Sequence, residues 1–189
     1  MIFHPKAESF RVFVDADFSG NWSKDSAEWD TDTARSRSGF VITYAGCPIY
    51  WGSKMQTEIA LSTTEAEYIT ASESLRHALH LMALITELKQ RHFPVHTQTT
   101  TVHTRLYEDN SGAIELLKVA KLRPRTKHLN IKYHHFRSAI IDSRITVQPP
   151  PEGTISVHKI ETECQPADML TKSLSPPLFK KHRLYINGW

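Results

Sequence analysis

The chain has 189 residues and a mass of 21.6 kDa, with 40% hydrophobic and 23% charged residues. That length favours one domain, with a second only if it is small, and the balance excludes a disordered tail or a collagen-like chain. Net charge is +3, but Lys118 to Arg144 holds eight basic residues and one acid, a local +7 that leaves −4 for the rest. Such asymmetry points to an anionic partner on one face and cations, metal among them, on another.

Two cysteines, Cys47 and Cys164, are too few for a disulfide framework or a four-cysteine zinc site and read as reduced thiols. The longest comparable apolar stretch, Leu81 to Ile85, is five residues, against roughly 20 for a membrane span. The first ten residues lack the basic start and apolar stretch of a signal peptide. A soluble, intracellular chain is expected.

In chain order, Arg11 to Asp15 (RVFVD) reads as a strand buried on both faces. Ser19 to Ser38 is polar and reads as a long loop. Phe40 to Tyr44 and Ile49 to Trp51, separated by Ala-Gly-Cys-Pro, predict a hairpin. Ser62 to Lys89 predicts the longest helix, with Ser62 as N-cap and Glu65 completing a capping box. Ala71, Leu75, Ala78, Met82 and Ile85 form its apolar stripe. A strand at Val102 to Tyr107 and a helix from about Ser111 to Val119 follow. Lys121 to Lys127 is a basic loop, and Asn130 to Ile141 is expected to be helical. Pro149 to Pro151 is a rigid connector, Thr154 to Ile160 a last strand, and Pro166 to Lys172 the start of a helix. The order implies a mixed α/β domain, one sheet covered by helices.

Four acids fall at strand ends or helix starts, where open α/β folds place their chemistry. Asp15 ends the first strand, Asp109 ends the later one and Asp168 opens the last helix. On the long helix Glu65 and Glu67 compete, roughly 200° apart about the axis. Glu67 borders the apolar stripe beside Ala71 and Ala78 and is the inward carboxylate; Glu65, on the side of Ser72 and Arg76, reads as solvated. Clustered carboxylates repel and raise one another's pKa, which hard cations such as Mg²⁺ relieve.

Six segments carry a resemblance: Val14-Asp-Ala-Asp-Phe-Ser-Gly-Asn-Trp22, Ser38-Gly-Phe-Val41, Ala60-Leu-Ser-Thr-Thr-Glu-Ala-Glu-Tyr68, Glu108-Asp-Asn-Ser-Gly-Ala-Ile114, Arg125-Thr-Lys-His128 and Pro166-Ala-Asp-Met-Leu-Thr-Lys172. In this order the chain resembles the ribonuclease H domain of copia-type retrotransposon polyproteins. The resemblance implies a ribonuclease H-like α/β fold, a five-stranded mixed sheet flanked by helices with its first three strands antiparallel. It divides the chain into a lead-in at 1–9, a ribonuclease H domain at 10–175 and a C-terminal tail at 176–189. Asp15, Glu67, Asp109 and Asp168 match the family's catalytic, metal-binding carboxylates, with Asp17 as a rival to Asp15 or a supporting acid beside it.

The implied chemistry is two-ion hydrolysis of the RNA strand of RNA–DNA hybrids, with Mg²⁺ as cofactor, Mn²⁺ as a substitute and Asp15 bridging the ions. The 2′-hydroxyl would distinguish RNA from DNA. Lys118, Lys121, Arg123, Arg125, Lys127, His128 and Lys132 are the candidate hybrid-binding residues, tracking phosphates. The implied partners are the hybrid and the reverse transcriptase domain of the same polyprotein, with no membrane and no small-molecule cofactor. The implied location is cytoplasmic, in the element's virus-like particle.

His128, His134 and His135 lack a zinc-site spacing. Tyr107-Glu-Asp-Asn110 is superficially like a polymerase Tyr-x-Asp-Asp, but Asn110 lacks the second charge. An integrase would carry Asp, Asp, Glu in order rather than Asp, Glu, Asp, Asp. The 161–166 stretch has no histidine to speed product release, which implies lower turnover than many cellular relatives. Glu108, beside Asp109, is expected to point away by strand alternation. The alternative function is a weak or inactive hybrid-binding module that supports a polymerase.

Overall fold

The computed structural model describes residues 9–25, 29–93, 95, 102–118, 135–141 and 151–187. Five strands, β1 (Phe10–Asp17), β2 (Arg37–Tyr44), β3 (Cys47–Met55), β4 (Thr104–Glu108) and β5 (Ile155–Lys159), form one sheet in the order β3-β2-β1-β4-β5. The β1/β2 and β2/β3 pairs are antiparallel, while β4 runs parallel to β1 and β5 to β4. The expected five-stranded mixed sheet with three antiparallel strands first is the one found. The β2–β3 hairpin closes tightly at Ala45-Gly46, both with positive φ (52° and 75°), the geometry that matches strand twist.

Helix α1 (Thr63–Gln90) starts where its capping residues place it: Ser62 Oγ accepts the Glu65 N–H at 3.2 Å. Its stripe of Ala71, Leu75, Ala78 and Met82 is buried on Phe10, Val12 and Val14 of β1 and Leu106 of β4. Helix α2 (Ser111–Lys118) adds Ile114 and Leu117 to the same core. Residues 176–189, read from sequence as a tail, contain helix α3 (Pro176–Asn187), whose Tyr185 meets Phe13 edge-on at 5.7 Å. Phe13 points opposite to Val12 and Val14 by strand alternation, so the sheet is covered on both faces.

Two expected helices are corrected. Within the described part of Asn130–Ile141, only a short 3₁₀ turn forms, at Arg137–Ala139. Buried Phe136 anchors it against Tyr68, Arg137 Nε donates to the Tyr68 hydroxyl, and the Ile141 N–H bonds the Ile155 carbonyl as an irregular strand extension. A helix does start at Pro166, but it is a 3₁₀ helix that ends at Leu170, and the last α-helix begins only at Pro176.

Candidate active site

The parting of two strands makes the site. β1 pairs with β4 only through Phe13↔Tyr107, while its pairing with β2 continues to Asp17↔Arg37. In the same parallel register Asp15 and Asp109 fall side by side just beyond the last β1–β4 pair. No ladder separates the two faces there, so Glu67 from α1 reaches them. Asp15, Glu67 and Asp109 each offer a carboxylate oxygen within 4.8 Å of the others. Asp15 is 2% and Glu67 3% exposed, where unpaired charges would cost several kcal/mol apiece.

Gln165 holds the gap open. Fully buried, its Nε2 donates to the Val14 carbonyl at 2.7 Å and the Tyr107 carbonyl at 3.4 Å, one on each parting strand. Its side chain also caps the 166–170 turn at the Ala167 N–H, which carries Asp168 to the cluster. Thr171 donates its hydroxyl to Asp15 Oδ2. Lys172 Nζ lies 3.4 Å from Asp15 Oδ1 and 3.1 Å from Asp168 Oδ2, bridging the two acids. Thr162 Oγ1 donates to Asp109 Oδ2 at 2.7 Å.

The electrostatics follow from burial and crowding. Burial, then Glu108 and Asp15, hold the Glu67 carboxyl well above its ordinary range, against a lowering backbone hydrogen bond at Ala16. Asp168 is pushed up to about 7 by burial and Asp15, although Lys172 opposes this. Burial depresses the Lys172 ammonium, but Asp15 and Asp168 outweigh it and leave its pKa raised.

Glu108 overturns its expectation. It is fully buried and, with Thr104 and Leu106, lies by strand alternation on the side of β4 that faces α1, the helix carrying Glu67; burial pushes its own carboxyl up to about 8. Asp109 lies beyond the strand end, so alternation between it and Glu108 does not apply. Glu65 is another correction: it is buried rather than solvated, and its Oε2 accepts the Leu61 N–H at 2.9 Å. The Asp17 carboxylate turns onto the Gly20 turn instead of joining the trio. Of the basic candidates, Lys118 lies exposed at the end of α2; Lys121, Arg123, Arg125, Lys127, His128 and Lys132 fall outside the described residues.

The donor set fits a hard divalent cation. It is all oxygen, and Glu67 Oε2, Glu108 Oε2 and Asp168 Oδ1 are buried without a hydrogen-bond partner. Buried polar atoms are rarely left so, and Mg²⁺ or Mn²⁺ takes such oxygens. Sequence reading missed Thr171, Lys172 and Gln165. The first two ended a recognised segment, but Asp15, the acid they both hold, is 156 and 157 residues away in the chain.

No family model matches the chain. It is 36% identical over 160 residues to the retrovirus-related Pol polyprotein from transposon TNT 1-94 of Nicotiana tabacum, covering 85% of the chain. It is 30% identical over 174 residues to the Pol polyprotein from transposon RE2 of Arabidopsis thaliana, covering 91%. The chain spans about 10% of the length of each. Its fold is shared with the N-terminal RNase H domain of Rv2228c from Mycobacterium tuberculosis, at a TM-score of 0.53 and 12% identity over 86% of this chain and 90% of that one. A ribonuclease H fold on a chain whose sequence matches Pol polyproteins along most of its length places it in one family: it belongs with the ribonuclease H domains of copia-type retrotransposon Pol polyproteins.

Proposed function

We propose that this domain hydrolyses the RNA strand of RNA–DNA hybrids. The observation that carries the reading is the convergence of Asp15, Glu67 and Asp109 within 4.8 Å at the strand parting, with Asp168 alongside and buried oxygens left unpartnered. These four carboxylates would hold Mg²⁺ or Mn²⁺, which supplies the Lewis acidity that activates water and stabilises a leaving oxygen. Asp15 is anchored for this by the Thr171 hydroxyl, and Asp109 by that of Thr162. Hydrolysis adds water across the phosphodiester: the P–O3′ bond breaks, the 3′ oxygen takes a proton, and a 5′-phosphate remains.

The Lys118–Lys132 basic residues would pair with backbone phosphates, and the 2′-hydroxyl would mark the strand to be cut. In this reading the domain works beside the reverse transcriptase of its polyprotein, within a cytoplasmic virus-like particle. The test is cleavage of an end-labelled hybrid with Mg²⁺ or Mn²⁺ beside a duplex-DNA control. Cleavage confined to the RNA strand, abolished by chelator and by Asp109→Asn with an unchanged circular dichroism spectrum, is expected. Tight hybrid binding without cleavage would instead make the domain a binding module for the polymerase.

A further inference from the structure

The two sides of the carboxylate cluster differ in what neutralises them. Asp15, Glu67 and Asp109 converge with no lysine or arginine ion pair to Glu67 or Asp109 among the described residues. On the other side Lys172 Nζ lies between Asp15 Oδ1 and Asp168 Oδ2, at 3.4 and 3.1 Å. We infer that Lys172 is a resident counter-cation of the cleft, occupying the Asp15–Asp168 position that a second divalent ion needs, so that this ion binds only as the lysine swings out. The inference rests on the two-ion reading above and deepens it.

Three features make the lysine a competitor rather than a fixed strut. An ammonium is a compact point charge on a flexible stem, and it takes the same carboxylate oxygens that a hard cation would. The Lys172 side chain is 37% exposed while its two partners are 3% and 2% exposed, so it alone has a path outward. Asp15 does not depend on it for orientation, because the Thr171 hydroxyl holds the other oxygen of that carboxylate. One positive charge also falls short of the two that a divalent ion brings. Cation loading is therefore ordered: the trio side fills first, and the Asp15–Asp168 side fills against Lys172.

The test counts Mn²⁺ bound to the protein without nucleic acid, by calorimetry and by electron paramagnetic resonance of free Mn²⁺. Wild type is expected to bind in two steps, the second weaker. In Lys172→Met, which keeps the stem without the charge, the second step tightens about tenfold or more while the first is unchanged. Lys172→Arg keeps the wild-type pattern. Equal second steps in wild type and Lys172→Met overturn the inference while leaving the two-ion reading intact; no Mn²⁺ binding by either protein overturns both. Should Lys172→Met fail to fold, side-chain ammonium NMR of wild type during Mg²⁺ titration decides, with Lys172 assigned by Lys172→Arg. Its signal moves with the second step if the inference holds, and a signal unmoved through saturation overturns it.

Discussion

His103, absent from every motif in the sequence, is a buried residue whose neutral tautomer follows from its hydrogen bonds. Thr154 Oγ1 donates to the Pro151 carbonyl, so it accepts from His103 Nδ1 at 2.9 Å. His103 Nε2 then carries the lone pair and accepts from Ser156 Oγ, which in turn accepts from His158 Nε2 at 2.7 Å. Burial, then Arg105 and His158, lower the His103 pKa to about 4. A histidine depressed in the fold is protonated first in the unfolded chain, so its stabilisation is complete above pH 6.5 and is lost as pH falls toward 4. Denaturant melts across that window are expected to lose up to about 3 kcal/mol from this group, and His103→Asn should flatten the slope. At the active site the same scale exposes the limit of a motif: Glu67 was recognisable from its helix face, but Glu108 was assigned the wrong direction because strand alternation was carried past the strand end.

Among the elements, the 166–171 turn depends on a glycine in a different segment. Gly39 lies opposite Asp15 in the β1–β2 ladder. A Cβ there would sit 2.5 Å from Thr171 Cγ2 and 3.1 Å from the Ala167 carbonyl, closer than packed atoms come. The glycine of Ser38-Gly-Phe-Val41 is thus required by the approach of the turn that delivers Asp168 and Lys172. Gly39→Ala is expected to cost about 1–3 kcal/mol in denaturant melts, as overpacking does, and to lower hybrid cleavage. Adding Thr171→Ser, which removes Cγ2 but keeps the hydroxyl for Asp15, should recover much of both; no recovery would show that the clash lies elsewhere. The capping box and apolar stripe of α1 were legible because both signals are local, within a turn or two of helix. The described end of the 130–141 segment, 135–141, departs from the expected helix because Phe136, Arg137 and Ile141 answer to Tyr68 and Ile155, contacts that no helical period encodes.

At the scale of the whole molecule, the +3 net charge is a cancellation between a basic segment and an acidic cleft. If the basic segment binds phosphates, hybrid affinity falls with salt by a log–log slope of about 0.9 per contact. Converting Arg125 and Lys127 to glutamate is then expected to weaken binding and shallow that slope by about 2, measured by fluorescence anisotropy between low and moderate salt. Unchanged affinity would remove these two residues from the interface. The strands, the β2–β3 hairpin and helices α1 and α2 could be read from the residues, while the antiparallel opening of the sheet and the set Asp15, Glu67, Asp109 and Asp168 came from the resemblance of short motifs. Hydrophobic period, caps and short motifs are written within a few residues of one another. Tertiary structure alone decided that β1 and β4 part after Phe13 and Tyr107, that Gln165 bonds both strands, and that Lys172 bridges Asp15 and Asp168. Apart from Lys172–Asp168, one helical turn apart, those contacts join residues 58 to 157 positions apart, and sequence proximity carries no information about which distant groups a fold brings within 4 Å.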